Sequence, residues 1–410
     1  MNRRNFVSSI AAAGAVLALP KARAIGANDR IRFGLIGCGD RGQQDLKEAL
    51  SRPNVECVAV ADVYSRRRDQ AKTLVPTAQI YNDPARLLEH KDLDAVIIAS
   101  PLFLHAKHMQ MALAAEKDVY CEKTMTWDIA EAAACRKAAK ASSQVVQIGI
   151  QHESEGDHTD AKQWVKDGLP GKITLIEAWM SRNSAHGKPQ WRRPLPPDCN
   201  PENVNYALFL DNRPKEAFSA ERFINWRLYW EFSGGNVTEN MVHQIAWITS
   251  VMNLKEPIAA SMTGGVFSEN DERQVPDTIA VSLEYPDLTV LWQSTFSSSH
   301  YGLGEHFLGS NGTIEHTTGS TDMVSGKYKS GTFFYPEKIN SPEGKTLTSD
   351  SKDVNHMQNW FDCIRSRNQR TNAPVEMGYL SAVAGHMANL AYRNKRRVTF
   401  EEAVAMHQAY

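Results

Sequence analysis

A glycine-rich turn near the start of the chain constrains its fold more than any other feature. The apolar run Ile31–Ile36 is followed by a GxGxxG pattern made of Gly37, Cys38, Gly39, Asp40, Arg41 and Gly42. Such glycines let the backbone turn tightly and approach a pyrophosphate, while the next helix offers its free N–H groups to that anion. The six residues therefore predict a dinucleotide site at the first strand of a doubly wound sheet.

A second apolar run supplies the acidic residue that such a site needs. Val55–Ala61 ends at Asp62, 20 residues beyond the last glycine, where a carboxylate hydrogen-bonds the ribose hydroxyls of adenosine. A carboxylate there also repels the 2′-phosphate of NADP, so the sequence favours NAD over NADP. Arg66, Arg67 and Arg68 follow. These arginines either form a solvated helix face or provide one residue, Arg67, that contacts adenine or a phosphate.

Strands and helices alternate as far as residue 150, which predicts a doubly wound parallel sheet in an α/β domain. Beyond Asp62, helices are expected at Ser65–Leu74, near Pro84–His90, at His105–Ala115 and at Ile129–Ser142, and strands at Gln79–Tyr81, Ala95–Ala99, Asp118–Cys121 and Val145–Ile150.

The character of the chain changes after residue 150. Consecutive β-prone runs without helices between them predict an α+β domain with a large open, mainly antiparallel sheet. The runs are Ile173–Arg182, Ile258–Val266, Thr278–Tyr285, Thr289–Phe296 and Phe307–His316, with hairpin signals at Pro286-Asp287 and Asn311-Gly312. We expect a dinucleotide domain at 25–150, the α+β domain at 151–352, including a solvent loop at 338–352, and two helices within 353–410 that brace both domains.

The first 24 residues form a predicted leader. Arg3 and Arg4 precede an apolar stretch that ends at Pro20, and Ala22-Arg23-Ala24 is an AxA cleavage pattern. This arrangement predicts a twin-arginine export signal and a periplasmic or exported protein. The alternative is an ordinary secretory signal or a frayed terminus. The apolar stretch is shorter than the ~20 residues that a membrane span requires.

The net charge argues against certain binding partners, and the cysteine content argues against disulfides and metal sites. Loss of the leader removes four of 46 basic residues against 47 acidic ones, so the net charge moves from −1 to −5. That balance argues against nucleic acid and against an anionic membrane surface. The six cysteines show no CxxC spacing and are expected to be small core residues rather than disulfides or metal ligands.

Several motifs occur together in one order. They are the GxGxxG pattern, Ser100 to His105, Cys121-Glu122-Lys123, Gly171-Lys172-Ile173, and Trp226 to Gly235 followed by His243. In this combination the mature chain resembles the Gfo/Idh/MocA oxidoreductases, which include glucose–fructose oxidoreductase and inositol dehydrogenase. The resemblance implies NAD(P)-dependent chemistry on a sugar, polyol or glycoside hydroxyl, in a homodimer or homotetramer. It also implies cofactor contacts from Ser100, Pro101, His105, Glu122, Lys123 and Gln151.

Lys123 is expected at the carboxyl end of a sheet strand, where ligands bind in open α/β folds. An ammonium group there can polarise a substrate hydroxyl. In the family this lysine belongs to a catalytic EKP motif, and here Thr124 replaces the proline, which is expected to loosen the turn. The alternative is a surface lysine after a strand.

Glu239 and His243 stand four residues apart on a predicted helix, so they are expected to share one face. His243 suits proton exchange near neutral pH. Glu239, where the family commonly has aspartate, would orient it or hold a sugar hydroxyl. The alternative is a structural helix pair, and two side chains do not complete a metal site.

A stretch rich in aromatic residues and arginine suits either a carbohydrate cleft or an ordinary core. From it we assign substrate contacts to Arg182, Trp191, Arg227 and Tyr229. His105 is expected to pack near the nicotinamide or cap its helix rather than act as a base.

Export and a nicotinamide cofactor together constrain the mechanism. The periplasm has no free NAD pool, so the enzyme must restore its tightly bound cofactor within each cycle. Sugar-to-sugar oxidoreduction and redox-neutral glycosidase or epimerase chemistry through a transient ketone both satisfy this. A catalytically silent cofactor-binding sensor or scaffold is a third alternative, against which Lys123 and His243 count.

Overall fold

The computed structural model of the chain describes residues 30–321, 328–340 and 342–406. The leader predicted at residues 1–24 lies outside these ranges. Within them, the strands form one sheet of six and one of nine strands. Among the described helices, none is both long enough and apolar enough to cross a bilayer.

The first sheet is the predicted doubly wound parallel sheet. Its strands are β1 Ile31–Ile36, β2 Val55–Ala61, β3 Gln79–Tyr81, β4 Ala95–Ile98, β5 Asp118–Glu122 and β6 Val146–Gly149. The spatial order is β3-β2-β1-β4-β5-β6, with every pairing parallel. All four residues of β4 are buried, which accounts for its unbroken apolar sequence. The strand order reverses between β1 and β4, and ligands bind at such a point.

The helices lie on both faces of this sheet and beside the second one. They are α1 Asp40–Leu50, α2 Ser65–Leu74, α3 Pro84–Leu88, α4 His105–Ala114, α5 Ile129–Ala141, α6 Gly156–Lys166, α7 Tyr206–Leu210, α8 Ala220–Ile224, α9 Val242–Met252, α10 His356–Ser366, α11 Val375–Asn394 and α12 Phe400–Ala405. A π-helical turn at Val237–Met241 leads directly into α9.

The second sheet is mainly antiparallel, as the sequence predicts. Its strands are β7 Ile173–Met180, β8 Ala259–Gly265, β9 Thr278–Glu284, β10 Thr289–Thr295, β11 Leu303–Gly309, β12 Gly312–Thr321, β13 Tyr328–Pro336, β14 Leu347–Thr348 and β15 Val398–Thr399. The order is β14-β13-β12-β11-β7-β10-β9-β8-β15, and β7 pairs with β10 in parallel.

Two expectations about this sheet need correction. The β-prone run Phe307–His316 is not one strand but parts of β11 and β12, which form a hairpin at the predicted turn. Part of the expected solvent loop at 338–352 adds β14 to the edge of the sheet. The Asp160 carboxylate holds the residues after β14, because it accepts hydrogen bonds from Ser349 and Ser351.

The two late helices pack against different parts of the molecule. Trp360 and Phe361 of α10 are fully buried in the core that contains Phe33 of β1. Burial of side chains this large contributes about 1.5–3 kcal/mol each. Helix α11 contacts α5 and β6 of the first domain as well as α9 and β8 of the second, so it joins the two domains.

Residues 199–232, termed here the covering segment, pack across the carboxyl edge of the first sheet. Phe209 and Phe232 join an aromatic cluster with Phe103, which follows β4. The backbone N–H of Ser65 donates to Asn203 at 2.9 Å, which fixes the segment to the start of α2. All six cysteines are free and buried, which confirms their assignment to the core.

Candidate active site

The glycine loop has the close backbone packing of a dinucleotide cradle. Gly37 has φ +91°, and a Cβ atom there would lie 2.5 Å from the backbone nitrogen of Ser100. A Cβ atom on Gly42 would lie 1.9 Å from the carbonyl oxygen of Gly37. Helix α1 begins after Gly39 without a side-chain cap, which leaves its first N–H groups for an anion. The loop and helix therefore fit a pyrophosphate.

Gly42→Ala is expected to weaken dinucleotide binding about ten- to a hundredfold, because the added methyl group forces α1 away from the loop. Calorimetric titration with NAD measures the loss. Gly168→Ala is the control: a Cβ atom there meets nothing within 4 Å, so although alanine at φ +74° costs folding stability, NAD affinity should not change. Unchanged affinity in Gly42→Ala would contradict this account of the loop.

Asp62 has a role that the sequence pattern did not reveal. Its carboxylate accepts hydrogen bonds from the backbone N–H groups of Cys38 at 2.7 Å and Tyr64 at 2.9 Å. These bonds join the glycine loop to the end of β2. The residue predicted to bind ribose therefore also holds the loop in shape.

The three arginines after Asp62 are expected to form a solvated helix face or to contact the cofactor, and the structure shows some of each. Arg66 forms an ion pair with Asp198, and Arg68 donates to the backbone carbonyl of Asp62. Arg67 lies against the loop, with one guanidinium nitrogen 3.4 Å from the Cβ position of Gly39. Of the three, Arg67 is placed to meet a bound dinucleotide.

Next to the loop, a cavity of about 510 Å³ opens between the two sheets. The predicted residues that line it are Arg41, Ser100, His105, Glu122, Lys123, Gln151, Arg182, Trp191, Arg227, Glu239 and His243. Pro101 immediately precedes the 3-10 turn Leu102–Leu104 at the cavity edge. The structure thus brings together residues from both sheet domains, from Arg41 to Leu303.

Glu122 is held by two other residues assigned to the cofactor site. Its carboxylate accepts from Arg41 at 2.7 Å and from the Gln151 amide at 3.1 Å. Glu122 is only 3% exposed. A Cβ atom on Gly149 would lie 2.3 Å from the same carboxylate, so glycine at the end of β6 makes room for it. The three side chains form one rigid edge of the cavity.

The turn after Lys123 is firmly held, so the expectation that Thr124 loosens it is wrong. The buried Thr124 hydroxyl donates to the backbone carbonyl of Thr238. His105 contacts the Thr124 carbonyl at 2.8 Å and the Ser100 carbonyl at 2.7 Å with its two ring nitrogens. His105 therefore ties the ends of β4 and β5 together, a positioning role that the sequence did not predict.

The Lys123 ammonium group lies at the centre of these contacts. It donates to the backbone carbonyl of Glu239 at 2.6 Å and lies 3.8 Å from the Glu239 carboxylate. Burial lowers the pKa of Lys123 below its usual value, although Glu239 and Glu122 oppose that shift. A buried lysine with a lowered pKa is suited to proton transfer.

Glu239 and His243 do not act on each other as predicted. The Glu239 carboxylate accepts from Arg227 at 3.0 Å. The His243 ring instead packs edge-to-face on His152, with centroids 5.6 Å apart. Glu239 belongs to the π-helical turn, whose wider winding removes the alignment expected of residues four apart in an α-helix. Glu239 therefore does not orient the imidazole, although both residues line the cavity.

Electrostatics set the protonation of these two groups in opposite ways. Burial lowers the pKa of His243 well below its usual value, and the positive charge of Lys123 adds to this effect. Burial alone raises the pKa of Glu239, but Arg227 and Lys123 outweigh it and lower the pKa. Near neutral pH the imidazole is therefore a neutral proton acceptor beside an ionised carboxylate.

Sequence reasoning missed His152, which also lines the cavity, and it noted Arg193 only as one member of the aromatic- and arginine-rich stretch. His152 contacts Glu155 at 2.9 Å, and this pairing outweighs burial and raises the pKa of the imidazole. His152 directly follows Gln151, so the rule that ligands bind at carboxyl ends of strands was the available signal. No local pattern distinguished Arg193 from its neighbours.

Tyr229 is not a substrate contact in the structure. Its hydroxyl lies 3.3 Å from Glu221, and the guanidinium of Arg222 lies over its ring. It packs beside the aromatic cluster of the covering segment rather than lining the cavity. The composition of that stretch suits a core as well as a cleft, and for Tyr229 the core interpretation is correct.

Two family models match the chain. One, described as "Oxidoreductase family, NAD-binding Rossmann fold", matches residues 31–150, and the other, "Oxidoreductase family, C-terminal alpha/beta domain", matches residues 208–400. The chain belongs to the Gfo/Idh/MocA oxidoreductase family. Membership supports a nicotinamide dinucleotide as the ligand of the glycine loop.

Curated relatives of this Gfo/Idh/MocA protein match it in part. It is 27% identical over 162 residues to inositol 2-dehydrogenase of Rhodococcus jostii, covering 39% of this chain and 44% of that one. It is 30% identical over 195 residues to a glycosyl hydrolase family 109 protein of Stenotrophomonas maltophilia, covering 43% and 42%. The alignments thus span less than half the length of these two relatives.

Solved structures share the fold over more of the chain. The apo scyllo-inositol dehydrogenase from Lactobacillus casei has a TM-score of 0.64 and 18% identity, covering 91% of this chain and 99% of that one. An NAD-binding protein from Listeria innocua has a TM-score of 0.66 and 17% identity, covering 93% and 100%. At this level of identity, these matches show a common fold.

Proposed function

We propose that the protein oxidises a hydroxyl group of a sugar, polyol or glycoside with a nicotinamide dinucleotide that it retains. The observation that carries the proposal is the position of Lys123. Its half-buried ammonium group shares a cavity with the neutral imidazole of His243, beside the glycine loop. Relatives named inositol dehydrogenases support a polyhydroxylated substrate.

In this proposal the bound dinucleotide supplies a hydride acceptor. The chain's own residues handle the proton: Lys123 Nζ donates a hydrogen bond to the reacting hydroxyl oxygen, and the His243 imidazole accepts the hydroxyl proton. The backbone carbonyl of Glu239 accepts from Lys123 at 2.6 Å, and the Glu239 carboxylate accepts from Arg227 at 3.0 Å. The site thus stabilises negative charge that develops on the substrate oxygen.

We propose NAD rather than NADP. Asp62, which is 7% exposed, places a carboxylate at the end of β2. A carboxylate at this position would repel a 2′-phosphate. Arg67 is close enough to the loop to meet a pyrophosphate. Arg66 and Arg68, which could otherwise neutralise a 2′-phosphate, are engaged with other partners.

We also propose that the protein is exported with its cofactor and recycles that cofactor within each catalytic cycle. The covering segment supports retention, because it packs across the carboxyl edge of the first sheet. Its backbone bonds at Ser65 and Val63 hold it against the turn between β2 and α2. A dinucleotide whose adenosine half lies beneath such a segment would exchange slowly.

The proposed oxidation is tested by mixing NAD-loaded protein with a panel of sugars, polyols and glycosides. At least one compound is expected to give the near-ultraviolet absorbance of reduced nicotinamide, at no more than one equivalent per chain. A panel that covers the common hexoses, pentoses, uronic acids and inositols without any such signal would contradict the proposal.

A second candidate is redox-neutral cleavage of a glycoside through a transient ketone. The match to a glycosyl hydrolase family 109 protein favours it, together with a neutral histidine that can accept a C–H proton acidified by the ketone. Release of an aglycone without net reduction of NAD would distinguish this route from oxidation.

We propose that the open face of the second sheet forms a homodimer or homotetramer. Leu291 on β10 is 38% exposed, and Tyr301 and Phe267 beside the sheet are 54% and 75% exposed. Phe267 and Tyr301 line one pocket on this sheet, and exposed apolar side chains that lie together often mark an interface. Light scattering of the purified protein tests this, and a monomeric mass at micromolar concentration would contradict it.

A further inference from the structure

Cationic groups outnumber carboxylates on the walls of the active-site cavity. Two carboxylates, from Glu122 and Glu239, face five cationic side chains, which belong to Arg41, Lys123, Arg182, Arg193 and Arg227. Such an excess attracts a negatively charged ligand. The pairing of each cation shows which of them is available to bind one.

Most of these cations have acidic partners. Arg41 pairs with Glu122 at 2.7 Å and with Asp45 at 3.0 Å. Arg193 pairs with Asp40. Two other cations, Arg227 and Lys123, share the carboxylate of Glu239.

Arg182 differs from them. In the described part of the chain, no carboxylate lies within 4 Å of its guanidinium group, whose recorded contact is to the Met180 sulfur at 3.6 Å, a weak acceptor. Its backbone N–H donates to Thr295 at 2.9 Å, which fixes the residue at the end of β7. Burial lowers its pKa, although the more distant charge of Glu239 opposes that shift. A half-buried guanidinium without a directly paired anion is costly unless a ligand supplies one.

The position of Arg182 indicates which ligand that is. It extends from the second sheet, whereas the pyrophosphate cradle is formed by the glycine loop and α1 of the first sheet. The charge of Arg182 also contributes to lowering the pKa of His243, and both side chains line the same cavity. An anion at Arg182 would therefore belong to the substrate rather than to the cofactor.

We infer that the substrate is an anionic sugar whose carboxylate or sulfate group binds the Arg182 guanidinium while its reacting hydroxyl lies at Lys123 and His243. The planar guanidinium group can bind either anion through two parallel hydrogen bonds. This inference rests on the proposed function and narrows its substrate class to uronic acids or sulfated sugars.

The experiment compares matched ligands by calorimetry on NAD-loaded protein. Glucose, galactose and mannose are titrated beside their uronic acids and their 6-sulfates. In at least one series the wild-type protein is expected to bind an anion about ten- to a hundredfold more tightly than the neutral sugar. The preferred anion distinguishes a carboxylate from a sulfate ester.

Arg182→Gln is expected to remove that preference while keeping NAD affinity, and Arg182→Lys to restore part of it. Arg66→Gln is the matched control, because it removes one positive charge from an exposed ion pair with Asp198 outside the cavity. The control variant should bind each ligand as the wild-type protein does.

Two results would overturn the inference: equal or absent binding of anionic and neutral sugars to the wild-type protein, or an unchanged preference in Arg182→Gln. The redox readout separates this failure from failure of the proposed function. If neutral sugars reduce bound NAD as well as uronates do, the function stands and the anion site does not. If anions bind through Arg182 and no sugar reduces NAD, the oxidation is contradicted instead.

Discussion

Replacing Lys123 with methionine is expected to lower kcat about 10²–10³-fold, the usual cost of losing a positioned donor that stabilises developing negative charge. The methionine side chain has similar length and no charge, so the cavity keeps its shape. The lost group is the ammonium that now donates to the Glu239 carbonyl at 2.6 Å. Turnover is measured with the sugar that gives the reduced-nicotinamide signal, and NAD affinity is measured in parallel.

Lys107→Met is the control for this substitution. Lys107 pairs with Asp211 and its side chain is 46% exposed. It does not line the cavity, so the control variant should keep wild-type kcat. If Lys123→Met turned over within about threefold of the wild-type rate, Lys123 would not be a catalytic residue.

His243→Asn is expected to reduce kcat by a similar factor, about 10²–10⁴, because asparagine cannot accept the hydroxyl proton. The wild-type pH profile gives a second readout. The pKa of His243 is lowered, so its neutral form persists as the pH falls below the usual histidine value near 6.5. Activity should therefore decline only when the pH falls through the lowered pKa.

Lys123 and His243 interact electrostatically, so the pH profile of a Lys123 variant also tests the role of His243. The charge of Lys123 is one cause of the lowered His243 pKa. Removing that charge raises the pKa of His243. As the pH is lowered, the residual activity of Lys123→Met should therefore begin to decline at a higher pH than the wild-type activity does. An acid limb near pH 6.5 in the wild-type protein, unchanged in Lys123→Met, would show that His243 is not the titrating base.

Features determined by neighbours in sequence were predictable. The glycine pattern, the buried strand β4 and the doubly wound parallel sheet follow from apolar periodicity and turn chemistry. Ligands bind at the carboxyl ends of strands in open α/β sheets, and this rule likewise placed Lys123 beside the cofactor loop. These inferences need only local sequence and the handedness of βαβ units.

Features determined by distant contacts were not predictable. The π-helical turn that separates Glu239 from His243 has no composition signal of its own. Thr124 is held by Thr238, more than a hundred residues away. Tyr229 joins an aromatic cluster whose other members lie in separate segments. A single sequence shows which residue types are present but not which of these partners they meet.

The central claim is that the chain carries its own nicotinamide dinucleotide to the place where it acts. The most direct test is to purify the folded protein without added cofactor, denature it, and identify the released nucleotide by mass spectrometry. We predict NAD at close to one equivalent per chain. A homogeneous, folded preparation that releases no dinucleotide and binds added NAD only weakly would contradict the account.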